Sequence, residues 1–158
     1  NEIWERVLAV VLFLILGRAF VVFIVLVKNR IQVVKNQTVA ERRAARFLKR
    51  LGYAIIARQY SNRFGEVDII ARDGDCLVFV EVKTRKDSAA GHPAEAVNSA
   101  KQRQLTRVAL AYLKQHGLLE ARSRFDVIAI IWPQHGRTPH VEHFQNAFPP
   151  VGDGQMFS

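Results

Sequence analysis

The sequence predicts an α/β fold: a mixed sheet flanked by helices, preceded by a hydrophobic N-terminal helix. Three observations predict it. Residues 66–72 and 76–83 are alternating runs joined at Asp73-Gly74, a dipeptide that accepts the positive φ of a hairpin turn. A helical pattern over 93–116 separates that hairpin from an apolar run over 125–131, and such a crossover sets the later strand parallel to 76–83. Residues 38–51 carry an amphipathic helical stripe ahead of the first strand.

Taken in order, residues 1–30 form a hydrophobic segment. Its 7–27 core has the roughly 20 apolar residues of a membrane-spanning helix. Arg18 opposes insertion at about 2.5–3.5 kcal/mol, which the surrounding Leu, Ile, Val and Phe outweigh. Lys28, Arg30 and Lys35 follow, so the expectation is a single-pass inner-membrane anchor with the rest of the chain cytoplasmic. The start lacks the basic n-region and cleavage site of a signal peptide. It begins with Asn, so the alternative is an over-extended or fragmentary N-terminus. Residues 31–37 read as a basic linker, 38–148 as the main domain, and 149–158 as a flexible tail.

Within the domain, Thr38-Val39-Ala40-Glu41 fits a capping box that starts a helix. Ala40, Ala44, Phe47, Leu48 and Leu51 form its apolar stripe, and Gly52 its C-terminal stop. Residues 53–59 are a first strand and 60–65 a turn. Pro93 suits the first turn of the second helix, which Gly117 ends. Its apolar face is Ala96, Val97, Ala100, Leu105, Val108, Ala109, Tyr112 and Leu113. Lys101 sits at the edge of that face, aimed at a phosphate or reaching to water. Residues 140–144 are a short edge strand, with a loose tail from Asn146.

The chemistry lies on the hairpin. It brings Asp68 and Glu81 together, and puts Glu81 and Lys83 on one strand face. Two carboxylates held close raise a pKa unless a cation lies between them. A magnesium or manganese ion, held by carboxylate and backbone oxygens, removes the conflict, and a lysine beside it can position a water for attack on a phosphodiester. The plainer alternative is that Lys83 only pairs with Glu81 or Asp68. Glu41 is either a cap or a further acidic group facing that cluster.

Composition narrows the rest. The 158-residue chain is 49% hydrophobic, enough for a real core. Its formal charge is +9, and because Arg6 and Arg18 cancel Glu2 and Glu5, the excess belongs to 28–158. Such a domain attracts polyanions, chiefly nucleic acid or an anionic membrane face. The single cysteine, Cys76, excludes an internal disulfide and reads as a small core residue. No Cys/His set has zinc spacing, and His140 and His143 point to opposite strand faces. There is no Gly-rich phosphate loop and no Ser/His/Asp arrangement.

The order helix, three strands, helix, strand, with Gly65-Glu66-Val67-Asp68 and Phe79-Val80-Glu81-Val82-Lys83-Thr84-Arg85, resembles the YraN-like family of uncharacterised bacterial proteins. Ala40-Glu41, Gly91-His92-Pro93 leading to Lys101, and Arg124-Phe125-Asp126 agree with it. That family is similar to the PD-(D/E)xK, restriction-endonuclease-like nucleases and to archaeal Holliday-junction resolvases. The resemblance, over about 38–148, implies a restriction-endonuclease-like αβββαβ core. Asp68 and Glu81 would hold the metal with the Val82 carbonyl, and Lys83 would activate water. Glu41 would add an acidic group, while Arg85, Lys101, Gln102 and Gln104 would contact nucleic acid. The resemblance also implies a homodimer, since resolvase-like chemistry uses two sites. The sequence departs from the family where a Gly commonly precedes the Glu41 region, and in its hydrophobic N-terminus.

Three functions follow as expectations: a magnesium-dependent endonuclease on DNA, branched DNA included; a catalytically weak nucleic-acid-binding module; and a membrane-attached accessory protein.

Overall fold

A computed structural model describes residues 2–85, 97–132 and 138–152, with the side chains of 2–18, 20 and 32–36 left out. The elements are α1 (Glu2–Arg50), β1 (Ala54–Asn62), β2 (Gly65–Asp73), β3 (Cys76–Arg85), α2 (Ser99–Gln115), β4 (Ser123–Ile131) and β5 (His140–Phe148). The five strands form one sheet in the order β1-β2-β3-β4-β5. The β3–β4 pair is parallel and the others antiparallel, so the sheet is mixed as expected. The chain divides into two compact units, residues 1–38 and 39–158.

The second unit is built on both faces of the sheet. Leu77 and Phe79 of β3 pack with Leu105, Val108, Ala109, Tyr112 and Leu113 of α2. Val78, Val80 and Val82, which alternate with them, pack with Ala40, Ala44, Ala45 and Leu48 of α1. β3 therefore presents apolar side chains to a helix on each side, as a central strand must. Both helices end on glycines in the left-handed region, Gly52 (φ 92°) and Gly117 (φ 68°). Tyr53 N–H bonds Leu48 O at 3.0 Å and Leu118 N–H bonds Leu113 O at 2.8 Å, closing the last turns.

Several expectations are corrected. α1 runs through 31–37 without a break, so Thr38 is not a cap and the linker is helical. No Gly or Pro lies between Gly17 and Gly52, and nothing else there interrupts a helix. Among the described residues no helix is long and apolar enough to cross a membrane; the anchor expected over 7–27 falls mostly on residues whose side chains lie outside the described ones. Leu51 is exposed rather than part of the stripe. α2 starts at Ser99, because Asn98 caps it by accepting from Lys101 N–H at 2.9 Å; Pro93 lies outside the described residues.

β1 continues to Asn62, leaving only Arg63 and Phe64 as the turn before β2. β5 reaches Phe148, beyond the expected 144. Its register shifts opposite Asp126, where Asn146 takes φ 49° as in a bulge. Phe148 then returns to the core and stacks on Phe125, with centroids 4.9 Å apart. The following segment is tied to α2 by Val151 N–H donating to Thr106 Oγ1 at 3.0 Å.

Candidate functional site

The β2–β3 register, with Ile69 opposite Val80 and Ile70 opposite Phe79, carries Asp68 toward Glu81. Here the ladder gives way to a side chain: Val82 N–H donates to Asp68 Oδ2 at 2.7 Å. Asp68 and Glu81 are 6% and 4% exposed, and Glu41 of α1 is 4% exposed. Buried carboxylates at this density are costly without positive charge.

Two lysines supply part of that charge. Lys83 Nζ lies 2.9 Å from Glu81 Oε1, and Lys101 Nζ, from α2, lies 3.3 Å from Oε2. The second contact has ion-pair distance but not hydrogen-bond geometry, so Oε2 is a buried oxygen with no hydrogen bond. Asp68 feels the shortfall. Burial, then the Glu81 and Glu41 charges, push its carboxyl up to about 7, against the lowering effect of Val82 N–H and Lys101.

Asp68, Glu81, Lys83 and Lys101 thus stand together as the spacing and the resemblance imply. Glu41 reaches the group through space, by its charge on Asp68. Val82 brings its backbone to Asp68. Arg85 ends β3 on the same strand face as Glu81 and Lys83. Gln102 spends its side-chain amide on the segment just before α2, donating to Val97 O at 2.8 Å. Gln104 lies over the backbone of Gly65, where an added Cβ would collide with its side chain.

Gly65 also has φ 135°, a conformation other residues rarely adopt. Gly65→Ala is expected to lower stability by roughly 1–3 kcal/mol, read from the urea midpoint. Adding Gln104→Ala recovers the steric part of that loss and leaves the backbone part.

Among the described residues no three or more His, Cys, Asp or Glu side chains gather into a metal-holding group. Two carboxylates do suit a magnesium ion, which keeps most of its waters and takes few protein ligands. The buried Glu81 Oε2 without a hydrogen bond and the raised Asp68 carboxyl are what a site short of one cation would show. The residues fit the ion: Asp68 and Glu81 would hold it, and it would supply Lewis-acid polarisation of a phosphoryl oxygen.

Sequence reading missed a second polar group. Asp126, fully buried, accepts from Arg124 Nε (3.0 Å), His143 Nε2 (2.9 Å) and Asn146 N–H (2.9 Å). Arg124 also reaches Asp73 and the Tyr53 hydroxyl. The available signal was one carboxylate inside an otherwise apolar strand. Its acceptors are in use, so it braces the sheet rather than facing a ligand.

The fold and site define an α/β protein with a carboxylate pair and two lysines gathered at the end of its central hairpin. The chain belongs to the uncharacterised protein family UPF0102, whose model matches residues 40–130, the YraN-like family that the hairpin motifs point to. It is 51% identical over 110 residues to a UPF0102 protein of Geotalea daltonii, covering 70% of this chain and 86% of that one. A UPF0102 protein of Geobacter sulfurreducens is 52% identical over 107 residues, 66% of this chain and 81% of its own. One from Rhodococcus jostii is 49% identical over 105 residues, 66% and 88% respectively.

Proposed function

We propose that the chain is a metal-dependent endonuclease that hydrolyses DNA phosphodiesters on a restriction-endonuclease-like core. The observation that carries this reading is the buried Asp68–Glu81 pair with Lys83 and Lys101 against it. A purely structural site gains nothing from a carboxyl raised to about 7. In this reading Asp68 and Glu81 would hold a magnesium ion, which would supply Lewis-acid polarisation of a phosphoryl oxygen. Lys83 orients the attacking water, and Lys101 offers positive charge to the phosphate. The +9 formal charge supplies nonspecific attraction for the polyanion. Cutting two paired strands would call for two copies of the chain.

One observation favours a second reading, a nucleic-acid-binding domain without catalysis: both Glu81 oxygens already have a lysine within ion-pair distance. Calorimetric titration of the full chain with Mn²⁺ or Mg²⁺, followed by a cleavage screen on duplex, flapped and branched DNA, separates the two. Under the nuclease reading the wild type binds the ion and cuts, and Asp68→Asn and Glu81→Gln, still folded, do neither. DNA binding with neither metal uptake nor cutting supports the second reading.

The pH dependence has a definite sign. Proton and metal compete for Asp68, so Mn²⁺ affinity should rise about tenfold per pH unit below about 7 and level off above it. Titrations between pH 5.5 and 8.5 check this, and a pH-independent affinity would remove Asp68 from the ligand set.

A further inference from the structure

A cleft of about 870 Å³ lies beside the carboxylate–lysine site, between α2, the β1–β2 turn and residues 150–152. Lys101, which pairs with Glu81, lines it, so the cleft and the site share a wall. Its charged lining is all basic among the described residues: Lys101, Arg103 and Arg107.

The remaining wall carries an aromatic. Phe64 is half-buried, and the guanidiniums of Arg63 and Arg107 lie over its ring at 4.7 and 5.5 Å from the centroid. The turn that presents Phe64 is fastened on two sides. Asn62 Oδ1 accepts from Phe64 N–H at 3.0 Å, and Asn62 Nδ2 donates to Val108 O of α2 at 3.2 Å. The ring is therefore held in place before any ligand arrives.

Cations lining a cleft call for an anionic ligand. A fixed ring with guanidiniums over it calls for a flat, polarisable one. A nucleotide is both, and the base of an unpaired nucleotide is the one free to leave its stack and lie on such a surface. We propose that this cleft takes an unpaired nucleotide of the substrate strand, adjacent to the bond presented to Asp68 and Glu81. The substrate class would then be nucleic acid with a single-stranded segment at the cut, rather than continuous duplex. The proposal rests on the nuclease reading and narrows it.

Fluorescence anisotropy in EDTA tests it, with the full chain and a labelled dodecamer, single-stranded or duplex, at fixed salt. The expected result is a single-strand preference of about tenfold or more, which Phe64→Leu abolishes by costing about tenfold on the single strand. Repeated over a series of salt concentrations, the titration is expected to show Arg103→Ala, at an exposed position, reducing the salt slope of binding by about one. Equal single-strand affinity of wild type and a folded Phe64→Leu overturns the proposal. So does displacement of the dodecamer by an equal concentration of adenosine monophosphate, which would assign the cleft to free nucleotides. The assay contains no metal, so the two readings fail separately. A protein that binds as expected but never cuts loses the chemistry and keeps the cleft. One that cuts normally with Phe64→Leu keeps the chemistry and loses the cleft.

Discussion

At pH 8, Asp68→Asn is expected to cut DNA about 10³-fold more slowly than wild type and yet melt at a higher temperature when metal-free. The activity loss follows from removing one of the two carboxylates that would hold the ion. The stability gain follows from linkage. Burial and the charges of Glu81 and Glu41 raise the Asp68 carboxyl from 3.8 to about 7, so the folded state binds that proton more tightly than the unfolded chain. A group raised in this way contributes stability that is fully present below 3.8 and lost as pH climbs to about 7, by at most ~4 kcal/mol. Asparagine does not ionise, so the variant keeps that contribution at pH 8. Its side-chain oxygen can still accept from Val82 N–H, whose bond to Asp68 is 2.7 Å long. Melts in EDTA should differ at pH 8 and converge near pH 4, and millimolar Mg²⁺ should raise only the wild type. A variant less stable than wild type at pH 8 would mean that the Asp68 charge is paired structurally, and the metal reading would go with it.

The part of the site nearest the hairpin was legible because its signals are local. Alternation assigns faces, Asp73-Gly74 sets the turn, and together they bring Asp68 to Glu81 and Lys83 alongside. Lys101 was legible from its place at the edge of the α2 stripe, though its partner, Glu81, comes from another element.

What escaped were features decided by distant pairing. The Thr38–Glu41 spacing mimics a helix start, but a capping pattern has force only where the preceding chain leaves the helix, and residues 28–37 contain no breaker. The helix start at Asn98 lay hidden behind Pro93, a stronger local signal. β5 outran its prediction because pairing with β4 tolerates the left-handed Asn146, which a local reading takes as an end. The Asp126 network draws on β4 and β5 together with Tyr53, and no spacing rule joins those positions.

That network carries the largest stability effect expected in the second unit. Asp126→Ala should destabilise it by about 3–5 kcal/mol in urea unfolding. The carboxylate is 0% exposed, and its loss leaves His143, 7% exposed at its side chain, and Arg124, 19% exposed, short of their main acceptor. Arg124 retains Asp73 and the Tyr53 hydroxyl, at 3.0 and 2.8 Å, whereas Asn146 N–H loses the bond that anchors the bulge. The exposed pair Asp75–Arg122, at 3.2 Å, is the control: Asp75→Ala should cost less than about 1 kcal/mol. Burial alone would raise the Asp126 carboxyl, but the hydrogen bonds from His143, Arg124 and Asn146 outweigh it and hold the carboxyl below its usual value. Its contribution is therefore present above pH 3.8 and disappears as pH falls through the lowered value, so the deficit of Asp126→Ala should shrink in acid. Asp68 and Asp126 lie in one sheet and are both buried, yet their stabilities run with opposite sign in pH. The difference is that hydrogen bonds from His143, Arg124 and Asn146 outweigh burial at Asp126, whereas at Asp68 burial and the Glu81 and Glu41 charges outweigh the Val82 N–H and Lys101.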